Sequence, residues 1–113
     1  MKHSWKVKSQ IARDLENPIY RKRFEADYEA FKLEVQLLNA LERKHWSYSH
    51  LAKVIGTQKS HISRDLKSGG IQSASIARVA KMAEALGMKF LPLLIPREKQ
   101  RILLPKLHKL AVA

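Results

Sequence analysis

The chain predicts an all-α domain. Three observations carry that prediction: apolar residues recur at helical spacings of three and four, serine and asparagine stand where helices would start, and glycines stand where they would stop. At 113 residues the chain is long enough for one hydrophobic core and short for two, so a single domain is expected. A long N-terminal helix, a central set of shorter helices and a short C-terminal extended segment make up the predicted order.

After a basic N-terminal stretch, Ser9 to Glu16 suits a short helix, ended at Asn17-Pro18 because the residue before proline is pushed out of helical geometry. Asn17 as N-cap and Pro18 at the first helical position then open a long helical pattern, since the N–H that proline lacks has no partner there anyway. Phe24, Tyr28, Phe31, Val35 and Leu38 alternate at spacings of four and three, and the stripe continues through Leu41. No glycine or proline interrupts Ile19 to Lys44, so this is one helix of about 26 residues, roughly 40 Å long, or two with a hidden break. From Phe31 onward the stripe is expected to face the core. Tyr20, Phe24 and Tyr28 are expected to meet a partner, because too little chain follows to cover them.

Ser47 starts the next helix by accepting a free backbone amide, with Trp46 and Leu51 in the flanking positions of a hydrophobic staple. It runs to about Ile55 and stops at Gly56, where glycine reaches left-handed angles without a side-chain clash. Another helix begins near Gln58 or Lys59 and ends at Ser68-Gly69-Gly70. Ser73 or Ser75 caps the next, whose Ile76, Val79, Ala80, Ala83 and Leu86 form a buried stripe ending at Gly87. Phe90 to Ile95 reads as an extended segment, confined to a sheet edge by Pro92. In the basic, amphipathic tail REKQRILLPKLHKLAVA, Pro105 is expected to break a continuous helix.

Lysine and arginine outnumber aspartate and glutamate 22 to 10, a balance that favours anionic partners, either nucleic acid or an acidic membrane surface. With no cysteine there is neither a disulfide framework nor a thiolate metal site. No apolar run approaches the roughly 18 residues that span a bilayer, and the N-terminus lacks the apolar segment of a secretory signal, so a soluble cytoplasmic protein is expected. The tail suits packing on a dimer partner, or trailing along DNA phosphates, better than lying on a membrane.

Two short helices about Gly56, with Leu51, Ala52, Ile55 and Ile62 facing inward, meet the physical needs of a helix-turn-helix: Ala52 must be small where the second helix crosses it. At about 100° per residue, Lys59, Ser60, Ser63, Arg64 and Lys67 fall within roughly 140° of arc, with Ile62 and Leu66 outside it. Such a face suits a DNA major groove, where arginine or lysine donates to guanine and the glutamine of the entry residue, Gln58, pairs with adenine. The bland alternative is an ordinary solvated helix face. Ser47, Tyr48, Ser60 and Ser73, near helix starts, suit phosphate contacts.

LAKVIGTQKSHISRDLKSGG followed by SIARVAKMAEALGMKF resembles the lambda-repressor-like (Xre) helix-turn-helix family, with Leu51-Ala52, Gly56, Ile62-Ser63-Arg64 and Ala83-Leu86-Gly87 on its pattern. The resemblance covers roughly Leu33 to Ile95. It implies a compact helical bundle in which the helix near Lys59 to Lys67 enters the major groove, with Tyr48, Gln58, Lys59, Ser60, Ser63, Arg64 and Lys67 on DNA-facing positions. The chain then divides into a basic N-terminal helical extension (1–30), a helix-turn-helix domain (31–88) and an edge strand with a basic tail (89–113).

Three residues depart from the family pattern. Tyr48 stands where glutamine is frequent, Thr57 where an apolar residue is frequent, and Asp65 where many members bury an aliphatic group. Leu66 is expected to take over that packing, and Asp65 to need a cationic or hydrogen-bonding partner. The order of parts also resembles antitoxins of the HigA type, which neutralise a RelE-like ribonuclease toxin and repress their own operon.

Other chemistry is poorly supported. His61 and Asp65 stand four apart, a spacing that can present two metal ligands, but no third ligand has a recognisable spacing and an ion pair or plain exposure is favoured. Convergent acids and bases, or a phosphate-cradling glycine loop, are missing, so neither an enzyme nor a cofactor is expected. The expected function is a sequence-specific DNA-binding repressor without catalytic activity, a homodimer on two half-sites about 34 Å apart. It can also be the antitoxin of a type II toxin–antitoxin operon. The alternatives are a stand-alone repressor of phage or mobile-element type, and mainly a protein-binding module using Tyr20, Phe24 and Tyr28 or the edge at Phe90 and Leu91.

Overall fold

Asn17 fixes the start of the longest helix, α1 (Pro18–Lys44): its side-chain oxygen accepts from the backbone N–H of Ile19 at 3.0 Å and of Tyr20 at 3.5 Å. The computed structural model, which describes Arg13 and residues 16–111, thus makes the segment one uninterrupted helix of 27 residues. Apart from Arg13 and Glu16, the expected helix from Ser9 to Glu16 lies outside the described residues. Then follow α2 (Tyr48–Ile55), α3 (Lys59–Asp65), a 3-10 turn (Gly70–Ser73), α4 (Ile76–Ala85) and α5 (Arg97–Ala111). The architecture is all-α, with no strand among the described residues.

Each boundary has a local cause. His45 leaves α1 in the left-handed region at φ 57°, and its N–H and that of Trp46 close onto the carbonyls of Glu42 and Leu41. Ser47 Oγ accepts from His50 N–H at 3.1 Å at the start of α2, and Gly56 ends it at φ 76°. Ser75, not Ser73, caps α4, accepting from Arg78 N–H at 3.0 Å; Ser73 closes the 3-10 turn instead. Gly70 lies so close to the carbonyl of Arg64 that any Cβ there would overlap it.

The core joins Leu37, Ala40 and Leu41 of α1 to Leu51 and Ala52 of α2, Ile62 of α3, and Val79 and Met82 of α4; Leu66 and Ile71 close it from the connection. Leu66 does fill the space expected of it, at 4% exposure. Glu34, also buried, accepts from Gly69 N–H at 3.4 Å and ties α1 to the turn after α3.

Four expectations are corrected. Phe31 does not face the core but is 58% exposed. It lies about 120° round α1 from Leu37, and α2–α4 cover only the Leu37–Ala40–Leu41 side. Ile76 is exposed at the first turn of α4, while Met82 is buried. Phe90 to Ile95 has no regular secondary structure and pairs with no strand among the described residues, so it is no edge strand. Pro105 sits inside α5 without ending it. That helix buries no residue, so the Arg101 carbonyl that proline leaves without a donor faces solvent instead of a dry core. Among the described residues no helix is long and apolar enough to cross a membrane.

Candidate nucleic-acid interface

The turn between α2 and α3 is built from the backbone outward. Gly56 N–H donates to the Lys53 carbonyl at 3.3 Å and Thr57 N–H to the Ala52 carbonyl at 2.8 Å, so the chain reverses within three residues. Ala52, buried at 3% exposure, leaves room for α3 to cross, and Ile62 plugs the crossing at 0%. Thr57 is half-buried and bonds through Oγ1 to His61 Nδ1 at 2.9 Å. The side chain of the turn therefore fixes the first turn of α3.

The two sides of α3 are chemically opposite. Ile62 and Asp65 are buried, and the Asp65 carboxylate, at 1% exposure, is held by Arg78 of α4 through a bidentate ion pair: Nη2 donates to Oδ1 at 2.9 Å and Nε to Oδ2. The cationic partner expected of Asp65 is therefore Arg78. Two parallel N–H···O bonds meet a planar carboxylate with a planar guanidinium, the geometry in which a buried charge is best tolerated. His61 Nδ1 and both Asp65 oxygens are engaged by protein partners, and no group of three or more His, Asp or Glu side chains gathers among the described residues.

On the outer side, Gln58, Lys59, Ser60, Ser63, Arg64 and Lys67 are all exposed. No ion pair or hydrogen bond engages their side chains among the described residues. Asp65 is the acidic residue closest in sequence, and Arg78 already neutralises it. The surface therefore presents three cations, one amide and two hydroxyls with no internal partner, about a helix held at its first turn by Thr57 and at its last by Arg78; α3 ends at Asp65, short of the expected Ser68, so Gln58 precedes it and Lys67 lies in the turn beyond it. Chemically, such a set can donate to phosphate oxygens and to the acceptor atoms of guanine and adenine.

The remaining sequence-derived positions scatter. Ser47 is exposed at the start of α2, but its oxygen already caps the helix. Tyr48 is half-buried and packs against the core. Ser73 is exposed but a turn away from the start of α4, where Ser75 stands. Sequence reasoning missed Arg78: the demand for a cation at Asp65 was readable, but the fold alone decides which cation arrives.

A second exposed surface lies along α1. Tyr20, Phe24 and Tyr28 are 43–51% exposed, the Phe24 and Tyr28 rings lie parallel at 6.3 Å, and Lys32 Nζ stands 4.9 Å from the centre of the Tyr28 ring. Beside them a groove of about 880 Å³ is lined by Tyr28, Phe31, Val35, Phe90 and, from α5, His108 and Ala111. Phe90 packs on the core, whereas Leu91 is 62% exposed. No family model, curated protein or solved structure matches the chain.

Proposed function

We propose that the chain is a sequence-specific DNA-binding regulator, a lambda-repressor-like helix-turn-helix protein that represses transcription in the cytoplasm as a homodimer. α2 and α3 form the motif, and α3 enters the major groove. One observation carries this reading: the outer side of α3 collects exposed cationic, amide and hydroxyl side chains without partners, while its inner side is locked by Ile62 and the Asp65–Arg78 pair. A basic excess of 22 to 10 across the chain supplies the sequence-independent attraction to phosphates. Within the set, Arg64 is assigned to a base, Lys59 and Gln58 to base or phosphate, and Ser47, Ser60 and Ser63 to phosphates.

The test is footprinting on the DNA upstream of the chain's own gene, followed by Arg64→Ala. A bidentate guanine contact predicts a loss of about 1–3 kcal/mol on the operator and relaxed preference at one base pair. Arg64→Ala with undiminished affinity, and the same preference over scrambled duplex as the parent chain, removes Arg64 from that role.

A protein-binding role accompanies the first, and the exposed aromatics of α1 favour it: Tyr20, Phe24 and Tyr28 are large and about half exposed. In an antitoxin of a type II operon, such a surface would cover a RelE-like toxin. A short reading frame beside this one, whose product is pulled down with the chain at micromolar concentration, would support that use.

A further inference from the structure

We infer that the aromatic stripe of α1 and the C-terminal arm, residues 91–111, are the two halves of one interface, exchanged between two copies of this chain. The inference rests on the regulator reading above and names the surface that makes its dimer.

The unsatisfied apolar surface is concentrated in two places. Among the described residues, eleven of the thirteen exposed large hydrophobic side chains lie either between Ile19 and Phe31 or between Leu91 and Leu110. The chain exposes 9283 Å² in all, against about 6,300 Å² for a folded monomer of its size. Its radius of gyration is 17.0 Å, against about 13 Å for a compact domain of this length. A standard interface takes about 800 Å² from each partner.

The arm leaves and returns. Phe90 and the last turn of α5 line the same groove, where His108 meets Lys32 at 3.5 Å and Gln36 donates to the Ala111 carbonyl at 3.3 Å. Between those points the chain makes an excursion on which Leu91, Leu94, Ile102 and Leu103 are exposed, Leu94 completely. Its own fold leaves Leu91, Leu94 and Ile102 largely uncovered and Leu103 in part, and Tyr20 and Phe24 lie outside that groove, toward the start of α1.

A second copy fits both faces by length and by charge. Tyr20 to Phe31 spans about 17 Å of helix and α5 about 22 Å, so one can lie along the other. Glu25, Asp27 and Glu29 make the middle of α1 acidic, after the basic Arg21, Lys22 and Arg23 and with Glu29 also paired to Lys32 at 2.9 Å, whereas α5 carries Arg97, Lys99, Arg101, Lys106 and Lys109 against the lone Glu98. Two identical chains would otherwise repel through their net charge of +12 each; pairing the basic arm with the acidic middle of α1 offsets that where the chains touch. Reciprocal exchange also closes as a two-fold dimer, which matches two DNA half-sites.

Sedimentation velocity on the full chain tests this. The wild-type chain is expected to be dimeric at about 10 µM. Phe24→Asp/Tyr28→Asp, which spoils the stripe, and Leu103→Asp/Leu110→Asp, which spoils the arm, should each be monomeric. An equimolar mixture of the two should recover dimers, because each supplies the half the other lacks. Glu25→Lys/Glu29→Lys changes exposed side chains, breaking only the surface pair of Glu29 with Lys32, and should weaken association at least tenfold with an unchanged circular dichroism spectrum. A wild-type monomer at about 100 µM overturns the inference and leaves the stripe to a different protein. A mixture that stays monomeric, with both variants folded by circular dichroism, overturns the exchange. A monomer that still prefers its operator to scrambled duplex keeps the regulator reading and loses only this dimer; a dimer without that preference does the reverse.

Discussion

The α2–α4 unit and α5 belong to one chain but obey different rules. Every helix of the first region buries at least two residues, the links between them are tied by caps and by Asp65–Arg78, and the four most deeply buried apolar side chains, Leu37, Leu51, Ile62 and Met82, meet at its centre. α5 buries none and touches α1 through two long polar contacts. The contrast teaches that stability and assembly are separated: the first region holds itself together, and the second carries apolar surface that its own chain does not use. α1 spans both, with Leu37, Ala40 and Leu41 on one face and Tyr20 to Phe31 on another.

The largest expected effect probes how self-sufficient the packed region is. Arg78→Met keeps the aliphatic stem but strands the Asp65 carboxylate, which is 1% exposed, without a counter-charge. Removing one partner of a buried pair costs about 3–5 kcal/mol; the lower end applies here because the Arg78 side chain keeps 26% of its exposure. Asp65→Leu combined with Arg78→Met should recover most of the loss, since an apolar pair of similar volume needs no desolvated charge. Urea denaturation of both variants checks this. A single variant as stable as the wild type would mean that the pair does not lock α3 to α4.

The two faces of α1 give the next contrast. Leu37→Ala, at a site 1% exposed, should cost about 2–5 kcal/mol. Phe31→Ala removes a larger side chain but one that is 58% exposed, so the monomer should lose under about 1 kcal/mol. Thermal unfolding at a concentration low enough to dissociate dimers measures both. Similar losses at the two positions would show that the aromatic face is core after all.

What could be read beforehand divides along the same line. Asn17-Pro18, Ser47, Gly56 and Gly87 located their boundaries because each acts through backbone amides or φ within a few residues, and such causes are local. The outward set on α3 was legible for a similar reason: helical periodicity alone keeps Lys59, Ser63 and Arg64 within one arc that leaves out Ile62. Phe31 was misplaced because α1 carries two apolar stripes, and which one meets the core depends on helices that arrive later in the chain. Pro92 and Pro105 misled in opposite ways. The expected edge segment found no strand to pair with, and the proline inside α5 was tolerated because that helix is exposed. The identity of Arg78 as partner of Asp65 required the fold itself.

The smallest expected effect separates two serines that the sequence left equivalent as caps. Ser75 accepts from Arg78 N–H at 3.0 Å, whereas Ser73 ends the 3-10 turn with its side chain exposed. Ser75→Ala should therefore cost about 1 kcal/mol, the usual worth of an N-cap, and Ser73→Ala less than about 0.5 kcal/mol. The first loss has a further consequence, because the capped N–H belongs to Arg78, whose guanidinium also holds Asp65. Loosening the first turn of α4 should then weaken the tie to α3 as well, and Ser75→Ala and Arg78→Met should combine to less than the sum of their separate losses. Strict additivity in that double-mutant cycle would show that cap and ion pair act independently, and that α3 is positioned by its apolar contacts alone.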